Sequence, residues 1–328
     1  MPPVGISNED KRNQATYDYL TDIIGKGGGE AIHYYKLAEV CLALRKSSEA
    51  EEYINQAIAK KNTEATYFFL KAKILKDLGR DAEALIEAES ASAMELDTPD
   101  FYTFIAGLYL DIDSISLANQ YIEESMFIAP DWPENFYLKA NTFLRQSNSI
   151  EAQKVLYSLP KPAKNSPEFY YLLSKSYLIQ EGRLDSAIIS VNKGLSLDET
   201  DPGLLFVKAR TLQRLGRTDT ALVIYEKILD KVPSEAVAGE MADIYLKAGN
   251  FTKAAEYFKR QIEETPLEKK FYFSAGYCYE RLYENTLAQE LYLKAKKTFP
   301  DEPEFSVLYD RMTARLESQY RSTSLPNN

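Results

Sequence analysis

One alanine sets the frame of this chain. It returns as Ala50, Ala84, Ala118, Ala152, Ala187, Ala221, Ala254 and Ala288, a period of 34 residues with single-residue slips. A second small residue keeps step with it, as Ala38, Ala72, Ala106, Ala140, Ser174, Ala209, Ala242 and Gly276. With each copy numbered from its first residue, beginning at residue 31, these are the twentieth and eighth positions. Large side chains hold the fourth position (Tyr34, Phe68, Tyr102, Phe136, Tyr170, Leu205, Tyr272) and the eleventh (Leu75, Tyr109, Phe143, Tyr177, Leu212, Tyr245, Tyr279). Closely packed helices need small side chains where backbones approach and large ones where gaps must be filled. A small-large order repeated eight times describes helix pairs that bury their faces by stacking on one another.

Helix ends are written into the same frame. Leu215-Gly216-Arg217-Thr218-Asp219-Thr220-Ala221 has close copies in Leu78-Gly79-Arg80-Asp81-Ala82-Glu83-Ala84 and Ala248-Gly249-Asn250-Phe251-Thr252-Lys253-Ala254. Each reads as a helix end, a glycine able to take the left-handed cap, a polar turn and the start of a second helix. The fifth copy, near Gly182, carries one extra residue, and Pro130, Pro233, Pro266 and Pro300 close four of the units.

This pattern resembles the tetratricopeptide repeat (TPR) family over about residues 31 to 302. The resemblance implies an all-α fold, a right-handed superhelical solenoid of about eight helical hairpins with N- and C-terminal capping helices. In it helix A carries the aromatic, small and tyrosine positions, and helix B the alanine. The expected divisions are a capping helix and glycine-rich joint at 1–30, repeats at 31–64, 65–98, 99–132, 133–166, 167–201, 202–234, 235–268 and 269–302, and a capping helix and tail at 303–328. Departures from the pattern are local: Ala238 at a fourth position, Cys41 at an eleventh and Gly276 at an eighth.

Outside the repeats, Ser7 or Asp10 is placed to cap a helix whose stripe is Tyr17, Leu20 and Ile24. Gly25-Lys26-Gly27-Gly28-Gly29 ends it, and this run lacks the lysine placement and following Ser or Thr of a phosphate loop. Leu159-Pro160-Lys161-Pro162-Ala163-Lys164-Asn165-Ser166-Pro167 cannot continue helix B of the fourth copy. Either the joint loosens there into two four-repeat halves, or the helix is merely shortened. Residues 303–321 read as a last helix with Phe305, Leu308, Tyr309, Met312 and Leu316 on one side. Its other side carries Asp310, Arg311, Arg315, Glu317 and Ser318, suited to the open end of a solenoid. Residues 322–328 are expected to fray.

Composition removes several classes of function. With 39 basic against 49 acidic residues the formal charge is −10, and no basic footprint for phosphates stands out, so nucleic acid is not expected as a partner. No run reaches the roughly 18 apolar residues of a membrane helix, and Met1-Pro2-Pro3-Val4-Gly5 does not read as a signal peptide. No direct membrane insertion of the chain is expected. The expected compartment is the cytoplasm, with a periplasmic or lipid-anchored protein as the alternative if a native leader has been removed. Cys41 and Cys278 fall in different repeats and read as small core residues rather than a disulfide. His33 is the only histidine, so a zinc site or a Ser-His-Asp triad has no ligand set. No nucleophile motif, dinucleotide fingerprint or metal spacing is present, and the chain is read as a non-enzyme without cofactor or metal.

The feature with functional content is the fifth position, aromatic in six of eight copies: Tyr35, Phe69, Tyr137, Tyr171, Phe206 and Phe273. By the resemblance, the fifth, ninth and twelfth positions line the concave groove formed by the A helices. Ninth positions include Glu39, Lys73, Asn141, Lys175, Arg210, Asp243 and Tyr277. Rings interleaved with Lys, Arg and Asn donors make a cradle for a peptide or helix of another protein. The partner-binding set is therefore Tyr35, Phe69, Lys73, Tyr137, Asn141, Tyr171, Lys175, Phe206, Arg210, Phe273 and Tyr277. Arg145, Lys175, Arg210 and Arg214 favour a partner with acidic or carboxylate groups, while Glu134 and Glu168 on the same helices oppose it. Packing of the same rings between neighbouring A helices is the other open reading. Chaperone-tail binders of this family use a Lys and Asn set that Tyr35, Phe69, Thr103, Lys36, Leu70 and Phe104 do not reproduce. The expected function is a non-catalytic scaffold holding a partner segment in the groove. Its rival is a structural or lipid-anchored subunit of a bacterial envelope or secretion assembly, using its convex face or its ends.

Overall fold

Helices of 13 residues alternate with helices of 10 to 14 through the computed structural model, which describes residues 7–231 and 234–323. The first kind, the A helices, are α2 (Ala31–Ala43), α4 (Ala65–Asp77), α6 (Pro99–Asp111), α8 (Pro133–Arg145), α10 (Pro167–Ile179), α12 (Pro202–Arg214), α14 (Glu235–Lys247) and α16 (Lys269–Arg281). The B helices are α3 (Ser47–Lys60), α5 (Asp81–Ala93), α7 (Ile115–Ile128), α9 (Ser149–Ser158), α11 (Leu184–Leu197), α13 (Thr218–Leu229), α15 (Phe251–Glu264) and α17 (Asn285–Thr298). Before them stands α1 (Asn8–Gly25), and after them α18 (Pro303–Thr323). Each A helix packs on the B helix that follows it. Among the described residues the fold is all-α, built from stacked helical hairpins.

The periodic small residues lie where the hairpins close. All eight twentieth-position alanines, from Ala50 to Ala288, have no exposed surface. The eighth-position residues Ala38, Ala72, Ala106, Ala140, Ser174, Ala209 and Ala242 are likewise fully enclosed. Gly276 departs from them for a local reason. A Cβ there would come within 2.3 Å of the Tyr292 ring, which occupies the crossing of α16 and α17.

A shared turn joins A to B. Arg80 N–H donates to Leu75 O at 2.9 Å while Gly79 N–H donates to Lys76 O at 3.0 Å, the paired bonds of a Schellman cap. The same pair recurs at Lys46 and Arg45, Arg217 and Gly216, Asn250 and Gly249, and Glu284 and Tyr283. The residue with positive φ is glycine at Gly79, Gly216 and Gly249, but the equivalent position holds Arg45, Asp113, Ser147 and Tyr283 in other copies. In the fifth copy the extra residue lengthens the turn, and Gly182 takes the positive φ of 70°. Proline starts α6, α8, α10, α12 and α18, where its missing N–H costs no helical hydrogen bond. Pro233 lies outside the described residues.

The chain divides after Asn165 into two compact units. The proline-rich joint shortens the helix before it, as one of its two readings expected: α9 has only 10 residues, and a short 3-10 turn spans Lys161–Lys164. In the first unit, α1 begins with a capping box in which Ser7 Oγ accepts from Asp10 N–H and the Asp10 side chain accepts from Ser7 N–H. Leu20, Leu37, Ile54 and Ile74 share one core there, and Phe69, Phe101 and Ile105 another. In the second unit, the main core runs from Leu205 through Tyr225, Tyr272 and Tyr292 to Phe305 and Met312.

Helix α18 closes that end with Phe305 and Met312 fully buried. Its opposite side is less solvated than its composition implies. Arg311 Nη2 and Arg315 Nη1 reach Glu280 of α16 at 2.5 and 2.9 Å, and Tyr292 donates to the same carboxylate at 2.9 Å. The expected tail lies largely beyond the described residues.

Candidate protein-interaction face of the A helices

Four of the six fifth-position rings, Tyr35, Phe69, Tyr171 and Phe273, sit at the seam between one A helix and the next helix of that row. Tyr35 stacks on Tyr67 of α4 at 4.9 Å, and Phe69 meets Phe101 of α6 edge-on at 5.4 Å. Phe273 stacks on Phe305 of α18 at 4.2 Å. In each pair the partner is the third residue of the next helix, so one geometric rule generates all three. Tyr171 lies against Gly203 of α12, where a Cβ would meet its ring at 3.2 Å. Tyr137 differs: its hydroxyl donates to Ala163 O at 2.8 Å, tying α8 to the turn after α9. Phe69 is buried at 8% exposure, while Tyr35, Tyr137, Tyr171, Phe206 and Phe273 are half-buried. Inter-helix packing thus accounts for one side of these rings and leaves part of five of them accessible.

One helical turn further on, the ninth position places a cation above several of the rings. Lys73 Nζ is 4.1 Å from the Phe69 centroid, Lys175 Nζ 5.6 Å from Tyr171, and the Arg210 guanidinium 5.7 Å from Phe206. These are i, i+4 pairs, the spacing at which side chains on one helix face meet. Tyr35 instead donates to Glu39 Oε1 at 2.8 Å, and burial together with that bond holds its phenol well above the ordinary range. Asn141 has a buried Oδ1 without a hydrogen bond. Tyr277 is 48% exposed, with its ring edge-on to Phe251 at 6.1 Å.

The expected positive patch is compensated from within. Arg210 Nε pairs with Glu240 Oε1 at 3.1 Å, Lys73 with Asp100 at 2.6 Å, and Arg145 with Asp113 at 3.5 Å. Arg214 Nη1 donates to Leu178 O. An acidic ligand would compete with carboxylates already in place, which weakens charge as the recognition element.

The frame also exposes a position the sequence reading passed over. Gly239 stands at the fifth position of α14, where six other copies have a ring. Around it α12, α14, α15 and α16 enclose an open groove of about 770 Å³, lined by Phe206, Arg210, Gly239, Asp243, Gln261 and Phe271 among others. Gln261 is only 3% exposed, and its Nε2 has no hydrogen-bond partner. The missing ring was visible in the sequence; the Gln261 amide beneath it was not.

Reactive groups are placed structurally. His33 Nδ1 accepts from Glu30 N–H at 3.1 Å and so caps α2. Burial pushes the thiols of Cys41 and Cys278 up to about 11, and both are free and buried. Among the described residues no cluster of His, Cys, Asp or Glu is arranged to hold a metal, and no helix is long and apolar enough to cross a membrane.

Residues 167–201 and 240–303 match family models described as tetratricopeptide repeats. No curated protein matches the chain significantly in sequence. Among solved structures, a tetratricopeptide repeat protein from Parabacteroides merdae is 16% identical with a TM-score of 0.57, over 81% of this chain and 98% of its own. The Cut9–Hcn1 hetero-tetramer of the APC/C aligns at 16% identity and TM-score 0.59, over 94% of this chain and 60% of that one. Human IFIT1, as a dimer with PPP-AAAA, aligns at 15% identity and TM-score 0.59, over 87% of this chain and 78% of its own. At these identities the likeness concerns the fold.

Proposed function

Because this chain is a tetratricopeptide repeat protein, we propose that it is a non-catalytic scaffold that holds a segment of another protein against its A helices. The observation that carries this reading is the row of half-buried fifth-position rings with ninth-position polar groups one turn away. Aromatic side chains supply contact area at small entropic cost, and partly buried rings beside paired charges form the kind of surface where few residues dominate binding. Eight units at 31–64, 65–98, 99–132, 133–166, 167–201, 202–234, 235–268 and 269–302 supply the A helices, and the cytoplasm is the compartment that goes with this reading. The residues assigned to the partner are those expected from the sequence, with Tyr171, Phe206 and Arg210 at the centre.

The rival, an assembly subunit that uses its outer face, draws on Ile189 and Val223. They hold the same register position on α11 and α13 and are 59% and 65% exposed. One experiment separates the two. Affinity capture from native lysate is quantified for wild type, for Tyr171→Ala with Arg210→Ala, and for Ile189→Asp with Val223→Asp. Truncation at a true hot spot costs about 2 kcal/mol or more, so the first pair reduces capture of the specific partner at least tenfold while the second leaves it intact. Loss only in the second pair, with both variants folded by circular dichroism, overturns the groove reading in favour of the rival.

A further inference from the structure

The row of fifth-position rings is interrupted once within the second unit's groove, at Gly239, and the interruption is built as a site. Tyr35, Phe69 and Phe273 each pack on the third residue of the next helix. By the same register a ring at residue 239 would lie on Phe271, the third residue of α16. Glycine leaves Phe271 half-buried without that companion, and Lys270 Nζ lies 4.8 Å from its centroid. A Cβ built on Gly239 meets one atom within 4 Å, Gln261 Oε1 at 3.8 Å, so the space above the backbone is open.

Gln261 makes this more than a gap. The other seven copies place a small or apolar residue at its position: Ala57, Ala91, Ser125, Leu159, Gly194, Ile228 and Ala295. Here a long amide is enclosed at 3% exposure, with its Oε1 the atom that faces Gly239 and its Nε2 unpartnered. Arg210 is engaged by Glu240 at 3.1 Å and Lys270 by Glu268 at 3.5 Å, so the rim offers no free cation for an anion.

We propose that the Gly239 slot receives the aromatic side chain of a tyrosine from the partner segment, its ring on Phe271 in place of the absent fifth-position ring and its hydroxyl donating to Gln261 Oε1. The occupant follows from three features together: a ring-sized vacancy in a row of rings, the amide oxygen of a buried side chain at its floor, and a rim whose cations are already paired. This rests on the scaffold reading for the source of the tyrosine; the slot itself is tested without a partner.

The probe is p-cresol, with toluene as the matched ring lacking the hydroxyl, titrated into the full chain. Binding is read from the Gln261 side-chain amide and Gly239 backbone amide resonances. The slot predicts saturable shifts at both for p-cresol, and roughly fivefold weaker binding of toluene, the equivalent of a hydrogen bond of about 1 kcal/mol. Gly239→Phe supplies the chain's own ring and abolishes p-cresol binding while the melting temperature holds or rises. Gln261→Leu keeps the volume and brings p-cresol down to the level of toluene, which provides a second reading if Gly239→Phe fails to fold. Absence of saturable shifts, undiminished binding to folded Gly239→Phe, or equal binding to Gln261→Leu each overturns the slot. If p-cresol fails to bind while partner capture still depends on Tyr171 and Arg210, the slot falls and the scaffold stands. If p-cresol binds while capture ignores that pair, the scaffold reading falls, and the partner's tyrosine with it.

Discussion

A single methyl group decides how α16 meets α17. Gly276 is the one glycine among the eighth-position residues, and Tyr292 fills the space its side chain would take. Gly276→Ala therefore overpacks a fully enclosed crossing and is expected to cost about 1 to 3 kcal/mol; chemical denaturation measures it, and an unchanged midpoint would contradict the packing described. The A-to-B turn gives a paired test. Gly216→Ala forces a Cβ into a backbone with φ of 77° and should lose about 1 kcal/mol. Tyr283→Gly relieves the same strain at φ of 60° and should raise the melting temperature. The glycine copies made this turn legible in the sequence, whereas Arg45, Asp113, Ser147 and Tyr283 hid it. Those copies follow the backbone that the paired cap bonds impose, because tertiary repetition outweighs the preference of one residue. The fifth-position rings were legible in the same way as a row, but their packing on the third residue of the next helix depends on helix separation, which no spacing in the sequence encodes.

Between elements, tyrosine-carboxylate bonds tie helices together across both units. Tyr17 of α1 donates to Glu49 of α3 at 2.8 Å, Tyr109 of α6 to Glu89 of α5 at 2.9 Å, and Tyr292 of α17 to Glu280 of α16 at 2.9 Å. The hydrogen bond to Glu49 raises the Tyr17 phenol above its ordinary 10.0, and burial first, with the carboxylate second, does so for Tyr109 and Tyr292. The folded chain then keeps protons that the unfolded chain releases above about pH 10. With fewer protons bound in the unfolded state, stability falls as pH rises through the ordinary tyrosine range and is fully present below it. Denaturation midpoints measured from pH 8 to 11 should show that decline, and a flat profile would contradict it. Glu280 has a second task, since it also holds Arg311 and Arg315 of α18. Glu280→Ala should cost about 1 to 2 kcal/mol, discounted for the half-exposed arginines, and should speed amide exchange in α18 before the rest of the second unit. The apolar side of α18 was readable from its sequence. Its anchoring to Glu280 was not, because Arg311 and Arg315 look like a solvated face until α16 is placed beside them.

At the scale of the molecule, each unit is a run of hairpins whose A helices present rings and paired charges. The small-residue frame disclosed that arrangement because close helix crossings tolerate so few side chains. It disclosed less about recognition, since a half-buried ring has the same residue type whether it serves packing or a partner. Of the basic residues that suggested an acidic ligand, Arg145 and Arg210 are paired with Asp113 and Glu240, and Arg214 with the Leu178 carbonyl. Both cysteines lie inside the hairpins, with thiols pushed up to about 11 by burial. Thiol reagents at pH 8 should therefore label neither residue until the chain unfolds. The most direct measurement of the central claim is amide hydrogen exchange on the complex with the captured partner, compared with the free chain. The account predicts new protection concentrated in α10, α12, α14 and α16, including Gly239, with α11 and α13 unchanged. Protection gained on α11 and α13 while the A helices exchange as before would contradict it.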